Sequence, residues 1–381
     1  MSKPTFILSP CGTSLLTNGI SQELRSIVNK YSNVRSEDEV QAASPEQHRL
    51  IREHLAAVAT KLAAADPDSA RKFSAELNGI LSICGGTADG RRGDFHQLLC
   101  TDTWLGEEAA QLVKQWLSDR GPTAELRRQK DLRTVELASF QAALSDLVQW
   151  CDNEIESFRK KGYRVIFNLT GGFKSIQGFL QTLAQFYADE TVYIFETGNE
   201  LLRLPRLPIR MAADDVVRQH LSVFRRLDLG LQVPDEDLAG IPETLLMTMC
   251  GQTCLSPWGD LVWKQSKKGM YCEEVHPLPV GQTVACFGKD FMKSVEGCEG
   301  SRKAMINDRL DALIRYLEEK RSGKPSPHNP PSLDFKGLTG NPCPPSTHEC
   351  DAWADQDAKR LFGHFDSYGS FILDRLGKAL H

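Results

Sequence analysis

The chain has 381 residues, 45 Lys and Arg against 50 Asp and Glu, a formal charge of -5 and a pI near 6.0. That length exceeds one ordinary core and predicts two or three domains, while the charge excludes a uniformly basic coat for nucleic acid and confines any RNA contact to a local site. No apolar run approaches the roughly 18 residues of a membrane span, the first residues lack a signal peptide's apolar segment, and the scattered cysteines read as reduced thiols, so a cytoplasmic protein with no membrane contact is expected.

Thr5 to Ser9 is a short apolar strand ending in the small-residue turn Pro10-Cys11-Gly12-Thr13-Ser14. Helices are predicted around Ser21 to Tyr31, Pro45 to Ala64 and Ser69 to Asn78, from apolar positions three and four apart. Gly79 to Cys84 reads as a strand ending in Gly85-Gly86, and His96 to Cys100 as one ending in Thr101-Asp102-Thr103. Thr103 can cap the helix Trp104 to Trp116. A charged stretch, Asp119 to Arg133, precedes the long helix Ser139 to Lys161. A buried strand through Val165, Ile166 and Phe167 follows, then the helix Phe173 to Tyr187 and the strand Val192 to Glu196. Alternating strands and helices predict a parallel sheet with helices on both faces over residues 1–205, with ligands beyond the carboxyl ends of the strands.

Residues 206–267 read as a connector with the two-helix-plus-strand pattern of a winged-helix-like module. Residues 268–381 read as an α+β microdomain. It comprises a strand Val284 to Phe287, a short helix Lys289 to Val295 and a long helix Ser301 to Arg321, then strand-like segments at Leu333 to Leu338, Glu349 to Trp353, Lys359 to Phe365 and Ser370 to Leu373.

The stretch Asn168-Leu169-Thr170-Gly171-Gly172-Phe173-Lys174-Ser175 combines a strand end, a glycine turn and a helix start. Glycines admit close backbone approach, and a helix's first N–H groups carry partial positive charge, so the stretch reads as a phosphate cradle. It is not a P-loop, because Phe173 stands where a glycine should precede Lys174.

With the Ser9 to Ser14 turn, this stretch resembles a CARF domain, the Rossmann-like sensor of CRISPR ancillary effectors, over about residues 1 to 205. The resemblance implies a homodimer binding a cyclic oligoadenylate, cyclic tetra-adenylate in the first place, across its twofold axis. The ligand residues so implied are Gly12, Thr13, Ser14, Gly85, Gly86, Asn168, Thr170, Gly171, Gly172, Lys174 and Ser175. The carboxyl-terminal part is similar to the RelE family of toxin ribonucleases in its order of helix, helix and strands. That resemblance implies an mRNA interferase acting on the ribosome, switched on by the sensor, with no cofactor and no metal. Its catalytic candidates are Lys336, Arg360, His364, Lys378 and His381, with Arg360 holding the scissile phosphate and His364, at i+4, on the same side of the strand. Catalysis by Lys336, Arg360, Lys378 and His381 requires that they converge on one phosphate. The rival reading is a CARF-regulated DNA-binding transcription factor, or a sensor without enzymatic activity. Neither Cys343, His348 and Cys350 nor Cys250 and Cys254 has the paired C-x-x-C spacing of a zinc site.

Overall fold

The computed structural model describes residues 3–133, 136–195, 200–208, 214–279, 284–340 and 342–379. Two compact units, 1–210 and 211–381, divide the chain. The three segments expected from the sequence therefore become two, because the connector packs into the last domain.

Unit 1 runs β1 (Thr5–Cys11), α1 (Ser14–Thr17), α2 (Gln22–Lys30), α3 (Glu37–Ala43), α4 (Pro45–Ala63), α5 (Pro67–Phe73), α6 (Ala75–Ile83), β2 (Phe95–Cys100), α7 (Trp104–Ser118) and β3 (Thr123–Arg128). It continues with α8 (Leu137–Trp150), a π turn at Cys151–Ile155, α9 (Glu156–Lys160), β4 (Arg164–Asn168), α10 (Lys174–Tyr187), β5 (Glu190–Ile194) and β6 (Leu201–Pro205). The sheet order is β3-β2-β1-β4-β5-β6, parallel except for the edge strand β6. This is the Rossmann-like order, in which the chain reverses its direction of travel between β1 and β4. One face is covered by α6 and α7, through Leu77, Ile80 and Val113 against Ile7, Leu98 and Ile166. On the other face Phe6 stacks on Phe95 at 5.7 Å and meets Phe158 of α9 at 4.5 Å.

Two expectations fail locally. The strand expected over Gly79 to Cys84 is helix: Ser74 caps α6 by accepting the Leu77 N–H, and Leu77, Ile80 and Leu81 are buried at helical spacing. Gly85 and Gly86 therefore close a helix, with positive φ of 75° and 107°, and do not lie at a strand end. The charged stretch conceals β3, whose Ala124 turns inward between exposed Thr123 and Glu125.

Unit 2 contains α11 (Asp214–Gln219), α12 (Leu221–Asp228), the hairpin β7 (Leu246–Met249) and β8 (Gln252–Leu255), α13 (Pro257–Glu273), β9 (Ala285–Phe287), α14 (Phe291–Val295) and α15 (Gly300–Arg321). The strands β10 (Lys336–Gly337), β11 (His348–Trp353), β12 (Lys359–Phe365) and β13 (Phe371–Lys378) complete it. The order β10-β11-β12-β13-β9 is antiparallel except where β13 pairs with β9. Leu310, Leu313 and Leu317 of α15 pack on Cys350, Leu361 and Leu373 of this sheet. Arg225 of α12 ties the connector to α15: it is 1% exposed, and its Nη2 lies 2.6 Å from Asp311 Oδ1, whose carboxylate also takes the Tyr271 hydroxyl. Among the described residues no helix is long and apolar enough to cross a membrane.

Candidate functional site

The β1 and β4 turns meet at the point where the sheet reverses. Between them stands Glu76 of α6, 1% exposed and singled out by no motif. Its Oε1 accepts the N–H of Gly12 at 3.0 Å and of Gly172 at 3.1 Å, and its Oε2 accepts the hydroxyls of Ser14 at 3.0 Å and Ser74 at 2.7 Å. Three of the donors that read as a phosphate cradle, the Gly12 and Gly172 N–H groups and the Ser14 hydroxyl, thus hold an internal carboxylate. Burial first, with the charge of Glu76 second, pushes the Cys11 thiol well up.

Asn168 is buried and also faces inward, donating to Ser9 Oγ at 3.1 Å and to the Glu76 carbonyl at 3.2 Å. A Cβ on Gly171 would lie 2.5 Å from Glu76 Cδ, so the glycine is required by the carboxylate beside it. Thr170 donates its N–H to Asn168 Oδ1, while its own hydroxyl is buried without a partner.

A pocket of about 250 Å³ opens beside this turn, lined by Gly12, Thr13, Thr101, Arg133, Phe173 and Ser175 among others. Those residues follow β1, β2, β3 and β4, so the pocket lies beyond the carboxyl ends of the strands at the reversal point, where α/β sheets hold ligands. The amino end of α10 borders it, and the Phe173 cap position supplies no side-chain hydrogen bond. Lys174 is exposed at the first position of that helix and Ser175 is exposed beside it. Gly85 and Gly86 do not line this pocket.

Arg133 is the cation that sequence reasoning missed. Its Nη1 donates to the Asn33 carbonyl at 3.3 Å, and its Nε is buried without a partner. The loop carrying it is braced by Asp102, which accepts from the Asp131 N–H at 3.0 Å and from Arg128 Nε at 2.9 Å, with Arg35 at 2.8 Å. Burial works to raise the Asp102 pKa, but those hydrogen bonds and the two guanidinium charges hold it below its ordinary value.

In unit 2 only some of the sequence-chosen residues come together. Arg360 is enclosed by Asp334 at 2.8 Å, Asp351 at 2.7 Å and Glu349, whose side chain is 2% exposed. Lys336 joins the same cluster through Asp334 Oδ2 at 2.6 Å. Burial acts to lower the Arg360 pKa, and the Asp334 hydrogen bond with the three carboxylate charges raises it above the ordinary value. The fork expected to hold phosphate is thus engaged by carboxylates.

Lys378 stands opposite Lys359 in register, while Arg360 stands opposite Gly377. Strand alternation then sends Lys378 to the face away from Arg360, so the expected convergence does not form between these two. His364 shares Arg360's face and meets Asp374. His381 lies outside the described residues. Among the described residues no group of three or more His, Cys, Asp or Glu is placed to hold a metal ion.

Unit 1 is defined by this geometry as a Rossmann-like α/β domain with a pocket at its topological switch point. Residues 71–207 match the sequence profile of a family described as CRISPR-associated protein (Cas_APE2256). That match spans β2 to β6 and less than half of the chain, and it supports a CRISPR-associated protein. No curated protein matches the chain.

Proposed function

We propose that the chain is an ancillary effector of type III CRISPR defence. Unit 1 binds a cyclic oligoadenylate, cyclic tetra-adenylate in the first place, as a homodimer, and unit 2 is a metal-independent RelE-like endoribonuclease that cuts mRNA on the ribosome. The observation that carries the reading is the switch-point pocket, bordered by Arg133, Ser175 and the amino end of α10, in a unit whose residues 71–207 match a CRISPR-associated family. Backbone N–H groups at a helix start together with a guanidinium suit a phosphodiester, and two copies of one pocket suit a ring with twofold symmetry. The order α14, α15 and then antiparallel strands supports the ribonuclease part.

A transcription factor would present basic residues of the 214–273 segment to DNA. Here Arg218 pairs with Glu273, Arg225 with Asp311, Arg226 with Glu318, and Lys264 and Lys267 with Asp228, which favours an internal structural role for that segment.

The test is to incubate the protein with RNA and with translating ribosomes, with and without each oligoadenylate ring. Ring-dependent cleavage is expected with the tetra-adenylate ring. Absence of cleavage in both settings would leave a sensor without this enzyme activity.

A further inference from the structure

The outer face of the unit 2 sheet carries a constellation separate from the Arg360 cluster. His364 Nδ1 lies 2.9 Å from Asp374 Oδ2, and the same oxygen accepts the Ser346 hydroxyl at 2.7 Å. Asp374 is nearly buried, with 12% of its side chain exposed against 24% for His364. Ser346 is 1% exposed, so the carboxylate is held from below while the imidazole reaches solvent. A carboxylate accepting at Nδ1 fixes the tautomer with the proton on that nitrogen. Nε2 is then a lone-pair base, and no described residue hydrogen-bonds to it.

The backbone is shaped for this contact. Pairing of β12 with β13 slips between Phe362, opposite Arg375, and Gly363, opposite Leu373, so Asp374 is the extra residue of a bulge. Successive strand residues ordinarily face opposite sides. At this bulge Asp374 and Arg375 both reach the same loop, Asp374 through Ser346 and Arg375 through Cys343 Sγ. A Cβ on Gly363 would stand 2.4 Å from the Ile372 carbonyl, so only glycine admits the tight crossing beside His364. The exposed Arg375 guanidinium is thereby brought to the side of the sheet that carries the imidazole.

We propose that Asp374 positions His364 as the proton-transfer group of unit 2, with an RNA phosphodiester as substrate and Arg375 as its cationic neighbour; this rests on the ribonuclease reading above. His364 Nε2 takes the proton of the ribose 2′-OH. The 2′-oxygen forms a bond to phosphorus as the bond from phosphorus to the 5′-oxygen breaks, and the leaving oxygen takes a proton from water. The products are a 2′,3′-cyclic phosphate and a 5′-hydroxyl, and Arg375 offsets charge on the non-bridging oxygens.

The test uses the full chain with cyclic tetra-adenylate and mRNA on ribosomes. His364→Gln is expected to lower kcat roughly 10²- to 10⁴-fold, the range of a lost general base. Asp374→Asn is expected to lower kcat at least tenfold with KM unchanged. Nitrogen-15 NMR of histidine-labelled protein, with His364→Gln to assign the signal, is expected to show the Nδ1–H tautomer in the parent and its loss in Asp374→Asn. That signal needs neither substrate nor activity, and an aspartate that only braces Ser346 without orienting the imidazole would leave it unmoved. An Nε2–H tautomer in the parent overturns the proposal. So does His364→Gln cutting within twofold of a parent that cuts RNA on addition of the ring, and the ribonuclease reading then stands without this dyad. A parent that cuts no RNA overturns both.

Discussion

Glu76 Oε1 accepts the Gly172 N–H at 3.1 Å, so a carboxylate occupies the glycine turn at the place where a phosphate oxygen would sit. The same oxygen takes Gly12, which makes Glu76 the clasp between the β1 and β4 turns. Glu76→Ala would leave two N–H donors and two hydroxyls without their acceptor in a buried setting. The expected cost is about 3 kcal/mol, from an unsatisfied buried group at about 1 to 3 kcal/mol each after partial relaxation. Gly171→Ala should reach a similar loss by driving a methyl against the carboxylate. Urea unfolding of both variants checks this, and a loss below about 0.5 kcal/mol for either would show that the clasp does not hold the turns.

Ring binding should depend on Arg133 and Lys174 and not on Gly85 or Gly86. Arg133→Ala is expected to weaken cyclic tetra-adenylate binding at least tenfold, about 1.4 kcal/mol. Lys174→Ala should act in the same direction by removing a cation at the start of α10. Gly85→Ala and Gly86→Ala alter a helix end away from the pocket, so their binding should match the parent once folding is verified. Calorimetric titration of the full chain with the ring reads all four.

The parallel core strands were legible because Phe6, Ile7, Leu98, Val165 and Phe167 stand in short apolar runs between turn residues. The helix at Gly79 to Cys84 was misread because its run is apolar on consecutive positions, and periodicity alone cannot separate a buried helix from a buried strand. Strand β3 was hidden because an edge strand needs only a few inward residues, here Ala124 and half-buried Leu126, among charges. The glycine turn was located from sequence, but its partner was not. Glu76 lies 96 residues before Gly172 and belongs to no local motif, so only the fold brings them together. Arg360 likewise looked available because its carboxylates come from β11 and the segment before β10. The Ser74 cap and the Arg133 cation leave weak local traces: a serine before a helical apolar spacing, and an arginine closing a charged stretch.

Stability should fall on mild acidification because of His96. This residue of β2 is fully buried, neither ring nitrogen has a partner, and burial first, with the Arg91 charge second, lowers its pKa from 6.5 to about 4. The folded value is depressed, so the unfolded chain binds the proton more readily between these two values. Stability is therefore full above pH 6.5 and declines as pH falls toward 4, by about 3 kcal/mol at most. His96→Leu should flatten that decline in unfolding curves taken from pH 7 to pH 4.5, and an unchanged slope would refute the assignment.

Arg360 separates two roles by one pair of measurements. As a phosphate-holding fork it would contribute to cleavage and little to folding. Enclosed by Asp334, Glu349 and Asp351, it instead neutralises a carboxylate whose side chain is 2% exposed. Removing one partner of such a buried pair costs about 3 to 5 kcal/mol, because the remaining charge is left desolvated. Arg360→Met should therefore destabilise unit 2 by roughly that amount. Adding Glu349→Gln should restore part of the loss, since the uncompensated charge is then gone. Equilibrium unfolding of the single and double variants gives the coupling directly. If Arg360→Met unfolds like the parent and still abolishes ring-dependent cleavage, the carboxylates release the guanidinium in the active state and the phosphate role is the right one.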